Sequence, residues 1–181
     1  MEELEDPTEQ LKEIREHLEE KEEAREKWTL NVALSTAVIA VLAAIAGLFA
    51  NHHSNEALLE QVRSSDKWAF YQSKSIKSEI AAGTAQVLTA MNKQLPADYE
   101  QKQKGYEKDK AEIKQQADEA DKSSVMHLNK HLVLSKAVTI FQIAIAISAI
   151  SILTRKRAMW YISMLFATVG CVFLVLGFLT T

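Results

Sequence analysis

Residues 30–50 have the sequence LNVALSTAVIAVLAAIAGLFA, which is 21 residues without a charge. An α-helix rises about 1.5 Å per residue, so this segment is long enough for the roughly 30 Å hydrocarbon core of a bilayer. Trp28 lies just before it, at the position where tryptophan is enriched at membrane surfaces. The segment predicts a transmembrane helix over residues 28–50.

One face of this predicted helix carries only small residues at spacings of three and four. They are Ala33, Ala37, Ala40, Ala44 and Gly47. In lipid, a face of this kind usually packs closely against another helix. The pattern therefore predicts a helix–helix contact on this face.

Two further apolar segments, residues 132–153 and 158–179, lie near the C-terminus. Residues 154–157, Thr-Arg-Lys-Arg, separate them. Short cytoplasmic loops collect Lys and Arg, so we expect this turn on the cytoplasmic side and, with three spans, the N-terminus there too. The sequence predicts an all-α membrane protein with three transmembrane helices.

Residues 51–131 form a polar insert between the first two spans, with twelve acidic and twelve basic residues. The insert has helical periodicity on both sides of Pro96, and proline disfavours helix at the residue before it. We predict a periplasmic antiparallel helical hairpin with its turn near residues 93–98.

The two arms of this hairpin are expected to meet along a weak coiled-coil seam. The predicted seam of the first arm is Leu58, Val62, Ser65, Ala69, Ile76, Ile80, Gly83, Val87 and Ala90. That of the second arm is Tyr99, Tyr106, Ile113, Ala120, His127 and Leu134, seven residues apart, with Ala117, Ser124 and His131 between them. Because many of these residues are small or polar, we expect the hairpin to pack on copies of itself or on a partner protein.

Residues 1–27 hold twelve acidic and five basic residues. Leu11, Ile14 and Leu18 form one narrow apolar stripe, which is typical of an amphipathic helix. This cytoplasmic segment is either a solvated helix that pairs weakly with its copy or an acidic docking site for a basic partner.

Four histidines flank the predicted spans. His52 and His53 follow the first span, whereas His127 and His131 precede the second. His127 and His131 are four residues apart on one helix face, a spacing that lets two imidazoles bind the same metal ion. Zinc or copper suits imidazole ligands. The alternative is that these histidines bind only water and lipid headgroups at the helix ends.

Lys136 and Gln142 are polar residues inside the second span. Intramembrane polar groups usually face a helix bundle or a water path, so both are candidates to line a pore. Alternatively, Lys136 extends to the membrane surface and Gln142 bonds to another helix. The candidate partners for Gln142 are Asn31, Ser35 and Thr36, although they lie nearer the other end of the bilayer.

Trp68, Phe70 and Tyr71 form an aromatic group within the polar insert. Three residues so close in sequence cannot share one helix face, so part of the group is either a partner surface or covered by oligomer packing.

The remaining composition excludes several classes of function. Cys171 is the single cysteine, so no disulfide framework exists, and the net charge of −3 does not favour a nucleic-acid surface. No catalytic triad or phosphate-binding glycine loop is present. We therefore expect a protein that is not an enzyme.

The chain resembles a bacterial membrane domain of unknown function, numbered four-three-three-seven. The likeness lies in residues 55–59, 65–72 and 74–77, in residues 137–139 and 141–144, and in residues 153–157 and 160–161. The family more often has Gln where this chain has Lys67. The resemblance implies a bacterial inner-membrane protein and supplies no activity, substrate or catalytic residue.

Our leading hypothesis is a non-enzymatic, homo-oligomeric inner-membrane protein that uses the hairpin as a scaffold or interaction surface. The alternatives are an oligomeric channel or transport subunit and a periplasmic metal or pH sensor.

Overall fold

The computed structural model describes residues 7–179, with the side chains of residue 12 and of residues 14–179. It contains three helices, α1 (Pro7–Ala90), α2 (Tyr99–Thr154) and α3 (Arg157–Leu179), and no strand among the described residues. The all-α class is therefore confirmed for this part of the chain. Of the predicted N-terminal stripe, Ile14 and Leu18 are exposed, while residues 1–6 and the side chain of Leu11 lie outside the described residues.

The break between α1 and α2 has a clear local cause. Asn92 has a φ of 53°, the left-handed conformation that asparagine tolerates better than most residues. Lys93 N–H donates to the Leu88 carbonyl at 2.9 Å and Asn92 N–H to that of Thr89 at 3.0 Å. These two bonds form a Schellman motif, which satisfies the last carbonyls of α1.

Each helix contains a segment that is long and apolar enough to cross a membrane, with a mean hydropathy of 2.5, 2.1 and 2.5 in α1, α2 and α3. This confirms three candidate spans by length and composition. The chain divides into two compact units, which are described separately.

The first unit comprises Met1–Leu48 and Val133–Phe178. Its apolar core consists of Ile39, Ala46, Ala137, Phe141, Ala144 and Ala167. Glycines permit the closest approach of α3 to α2. A Cβ added to Gly170 would lie 2.7 Å from Phe141 Cε1, so the aromatic ring occupies the space that a side chain would need.

The predicted small-residue face of α1 does not pack within this unit. Ala33, Ala37, Ala40 and Ala44 are exposed, and Gly47 is half-buried. The buried face instead carries Val32, Ile39 and Ala46 at intervals of seven. The larger Val32 and Ile39 fill the space next to the neighbouring helices, which leaves the small residues on the outside.

The second unit comprises Phe49–Leu132 and Leu179–Thr181. Its two long helical segments run antiparallel, because residues later in α1 bond to residues earlier in α2. The side-chain contacts are Ser124 to the Ala57 carbonyl at 2.9 Å, Lys67 to Gln116 at 2.7 Å, Lys74 to Asp109 at 2.6 Å and Ser78 to Gln103 at 3.0 Å.

The seam predicted for the second arm faces α1, and its members Ile113, Ala117, Ala120 and Ser124 are buried. The seam predicted for the first arm is wrong. Its residues are exposed apart from the half-buried Gly83. The buried positions of that arm are Ala57, Ser64, Ser78 and Ala85, and half-buried Tyr71 continues the same seven-residue spacing.

The observed contact face of α1 differs from the predicted one because the two helices approach each other closely. Small side chains at Ala57 and Ser64 let α2 come near enough for Ser124 to bond to the α1 backbone. Leucine or isoleucine at these positions would hold the helices apart. The predicted seven-residue repeat of α1 was therefore correct, whereas the face of α1 predicted to contact α2 was not.

Candidate functional site: the histidine pair and the exposed polar groups

His53 and His127 face each other within the second unit. Their Nδ1 atoms are 2.9 Å apart and their ring centroids 5.2 Å. A hydrogen bond between two imidazole nitrogens needs one N–H and one lone pair, so only one of the two Nδ1 atoms carries a proton. The pair therefore shares a single proton between α1 and α2.

The other two predicted histidines do not join this contact directly. His52 is exposed, and its ring centroid lies 5.4 Å from that of His53. His131 Nδ1 lies 2.8 Å from the Ala50 carbonyl oxygen. Because a carbonyl only accepts, His131 donates through Nδ1.

The surroundings of His53 favour its neutral form. Burial lowers the pKa of His53, and nearby His127, His52 and Lys130 lower it further, while Glu56 opposes them. Desolvation penalises the charged imidazolium, and neighbouring positive charge adds to that penalty.

A metal fits this arrangement only in part. The described residues contain no group of three or more His, Cys, Asp or Glu side chains placed to hold a metal ion. His53 and His127 together would supply two of the four ligands that a tetrahedral zinc ion requires. The four-histidine metal site thus stays a prediction.

Gln142 and Lys136 are both exposed on α2. Gln142 makes no hydrogen bond with any described residue, and two of its three candidate partners, Ser35 and Thr36, are engaged elsewhere. Ser35 accepts a bond from Trp160 Nε1 at 3.1 Å, and the Thr36 hydroxyl bonds to Ser148. The contact considered between Gln142 and these two residues is therefore not formed.

Buried serines join the apolar helices, and the sequence-based prediction missed them. Ser148, Ser151 and Ser163 are fully buried. Ser163 donates to the Ala144 carbonyl at 2.8 Å, which links α3 to α2. The sequence contained a signal for this burial, because Ser148 and Ser151 lie four and seven residues after Ala144 and therefore on the same helix face.

The aromatic group of α1 is partly covered by its own chain. Trp68 and Tyr71 are half-buried and meet edge to face, with ring centroids 5.5 Å apart. The Lys74 ammonium lies 5.5 Å from the Phe70 ring centroid and 5.8 Å from that of Tyr106. Phe70 itself is 50% exposed, so it is the member best placed to meet a partner.

The comparison with known protein families covers most of the chain. The family described as Domain of unknown function (DUF4337) matches residues 28–180. The chain belongs to this family. The DUF4337 match begins at Trp28, so it includes all three apolar segments and the polar insert and leaves out the acidic residues before them.

No curated protein and no solved structure matches the chain. The DUF4337 description itself names no activity.

Proposed function

We propose that this chain is a non-enzymatic, homo-oligomeric protein of the bacterial inner membrane. Residues 51–131 extend into the periplasm as a helical hairpin and serve as a scaffold or interaction surface. Residues 1–27 and the basic turn at residues 154–157 lie in the cytoplasm, in agreement with the preference of Lys and Arg for that side.

The observation that carries this proposal is the exposed side chain of Gln142. It lies in the apolar part of α2 beside Ile143, which is 41% exposed, and it has no hydrogen-bond partner among the described residues. A primary amide in hydrocarbon is costly unless it is bonded. Because an amide both donates and accepts, two copies of Gln142 can bond to each other across a symmetry axis.

The exposed small-residue face of α1 supports the same conclusion. Ala37, Ala40 and Ala44 form a surface that a second helix can approach closely in lipid. No described residue of the first unit covers this face, so a helix of another copy is free to pack there.

The oligomeric state of purified full-length protein tests the proposal. We expect native mass spectrometry of wild type in mild detergent to show an oligomer. Gln142→Leu should weaken its self-association about ten-fold, since an interhelical hydrogen bond in membranes contributes about 1–2 kcal/mol.

Ile143→Leu is the matched control, because it changes the neighbouring exposed residue without removing an amide. This variant should associate like wild type. A wild-type protein that stays monomeric over the accessible range of detergent and protein concentrations would overturn the proposal.

A further inference from the structure

A mostly apolar surface runs along α1 on the side that faces away from α2. We define the α1 stripe as Leu58, Val62, Ser65, Ala69, Ile76, Ile80, Gly83, Val87 and Ala90. Its five large members, Leu58, Val62, Ile76, Ile80 and Val87, are between 56% and 64% exposed. The stripe is therefore available to a surface outside the chain.

The spacing of the stripe is that of a coiled coil. Steps of four and three residues alternate from Leu58 to Ala69, and Ile76 follows Ala69 by one heptad. The step of four from Ile76 to Ile80 shifts the heptad once, as a stutter does, after which the alternation resumes. One face thus stays mostly apolar along about 50 Å of helix, with Ser65 and Gln72 as its polar positions.

The exposed area is large enough for a specific contact. The five large side chains alone expose on the order of 500 Å² per copy, which is at the upper end of the largest apolar patch on a typical monomer. Stable interfaces bury about 600–1,000 Å² on each partner. The remaining members of the stripe and the adjacent Leu59, which is 53% exposed, bring the surface into that range.

The charges beside the stripe fit a second copy of the same surface. The Lys67 and Lys74 ammonium groups bond to Gln116 and Asp109 of α2, so both are held on the side of α2. In a parallel, in-register pair with Val62 and Ala69 in the seam, Gln61 of one copy faces Asp66 of the other. Gln61 Oε1 accepts from Ser124 of its own chain at 3.4 Å, so its amide N–H groups are the ones that can reach Asp66. An amide opposite a carboxylate permits a hydrogen bond and avoids like-charge repulsion.

We propose that the α1 stripe forms a parallel, in-register coiled coil with the α1 stripe of a second copy. The parallel orientation rests on the proposed function, because copies inserted in one membrane with one topology point the same way. The proposal names the surface through which the copies meet outside the membrane.

Disulfide cross-linking in membranes tests the contact, with Cys171→Ala removing the single native cysteine. Ile80→Cys and Val62→Cys should each give dimers on mild oxidation. Lys114→Cys, on the exposed face of α2, is the matched control and should cross-link at least ten-fold less. Two chains with different tags, one Val62→Cys and the other Ile80→Cys, should give little mixed dimer, because an in-register pair holds these positions far apart.

Several outcomes would overturn the proposal. They are equal cross-linking at Lys114→Cys, abundant mixed dimers, absence of dimers at both stripe positions, or cross-linking of Ile80→Cys only to a different protein. If native mass spectrometry still shows an oligomer in such a case, the α1 stripe is excluded as the contact between copies, while the proposed homo-oligomer stands. A monomer in both measurements overturns both.

Charge inserted into the stripe gives a second test. The double variant Ile76→Glu/Ile80→Glu should reduce cross-linking at Val62→Cys at least five-fold and keep the helical circular dichroism of wild type, because both side chains are exposed. Lys114→Glu is the control for added negative charge and should not change cross-linking. Unchanged cross-linking in the double variant would contradict the proposal.

Discussion

At the scale of single residues, the shared proton makes the contact between His53 and His127 sensitive to pH. Protonation of both rings would place two N–H groups and two positive charges against each other at 2.9 Å. Burial of His53 and the positive groups around it lower its pKa, so the folded chain disfavours this charge. The contact between α1 and α2 at this level should therefore depend on pH.

The sign of the dependence follows from the direction of the pKa shift. The folded-state pKa of His53 lies below its ordinary value of 6.5, so in acid the unfolded chain binds more protons than the folded chain. The contribution of His53 to the free energy of unfolding is therefore fully present above about pH 6.5. It is lost as the pH falls toward the folded-state pKa of this residue.

We predict that hydrogen exchange at residues 50–57 and 124–131 becomes faster when the pH drops from about 7.5 to about 5, after correction for intrinsic exchange rates. His53→Gln should reduce this response, because glutamine keeps a polar side chain but does not titrate. His17→Gln is the control, since His17 is exposed in the N-terminal part of α1 and should not alter the response. An undiminished response in His53→Gln would contradict the prediction.

At the scale of helices, packing in the first unit requires that two positions, Gly170 and Gly177, carry no side chain. Gly170 lies against the ring of Phe141 and Gly177 against Leu134, and both neighbours are fully buried. A buried ring cannot move aside without displacing its own neighbours, because protein interiors are close-packed. The contact between α2 and α3 is therefore sensitive to a single methyl group.

We predict that Gly170→Ala is less stable than Gly47→Ala by about 1–3 kcal/mol, the usual cost of overpacking. Both variants gain the same helix propensity, so that contribution cancels. They differ in space, because a Cβ at Gly47 would lie 3.9 Å from Val138 Cγ2, an ordinary contact distance. Thermal unfolding in detergent measures the difference, and equal stability of the two variants would show that Phe141 moves aside without cost.

At the scale of the whole molecule, the predicted topology places residues 51–131 on the opposite side of the membrane from residues 1–27. Two exposed positions test it in a Cys171→Ala background. We predict that a membrane-impermeant maleimide labels Lys114→Cys in intact spheroplasts, whereas Glu22→Cys is labelled only after the membrane is opened. The reverse pattern would invert the topology, and labelling of both positions in sealed spheroplasts would exclude it.

The class of the fold and the positions of its candidate spans were predictable from the sequence. Residues 30–50 are long, uncharged and helical in period, and these properties belong to the segment itself. The interruption near Pro96 was predictable as well, although the structure shows that α1 already ends at Ala90 and that Asn92 provides the left-handed turn. Asparagine just after a helical segment was the signal to read there.

The sequence alone determined the helices, their seven-residue periods and the membership of the family, because each depends on local composition or on residue order. Only the tertiary structure decided which face of α1 meets α2, which two histidines share a proton and that Gln142 points outward. Those features depend on contacts between residues far apart in the chain, such as Ser124 with Ala57 and His127 with His53. The repeat of apolar residues is a property of one helix. Which of its faces makes the contact is decided with the partner helix, because the face with the smallest side chains permits the closest approach of the two helices.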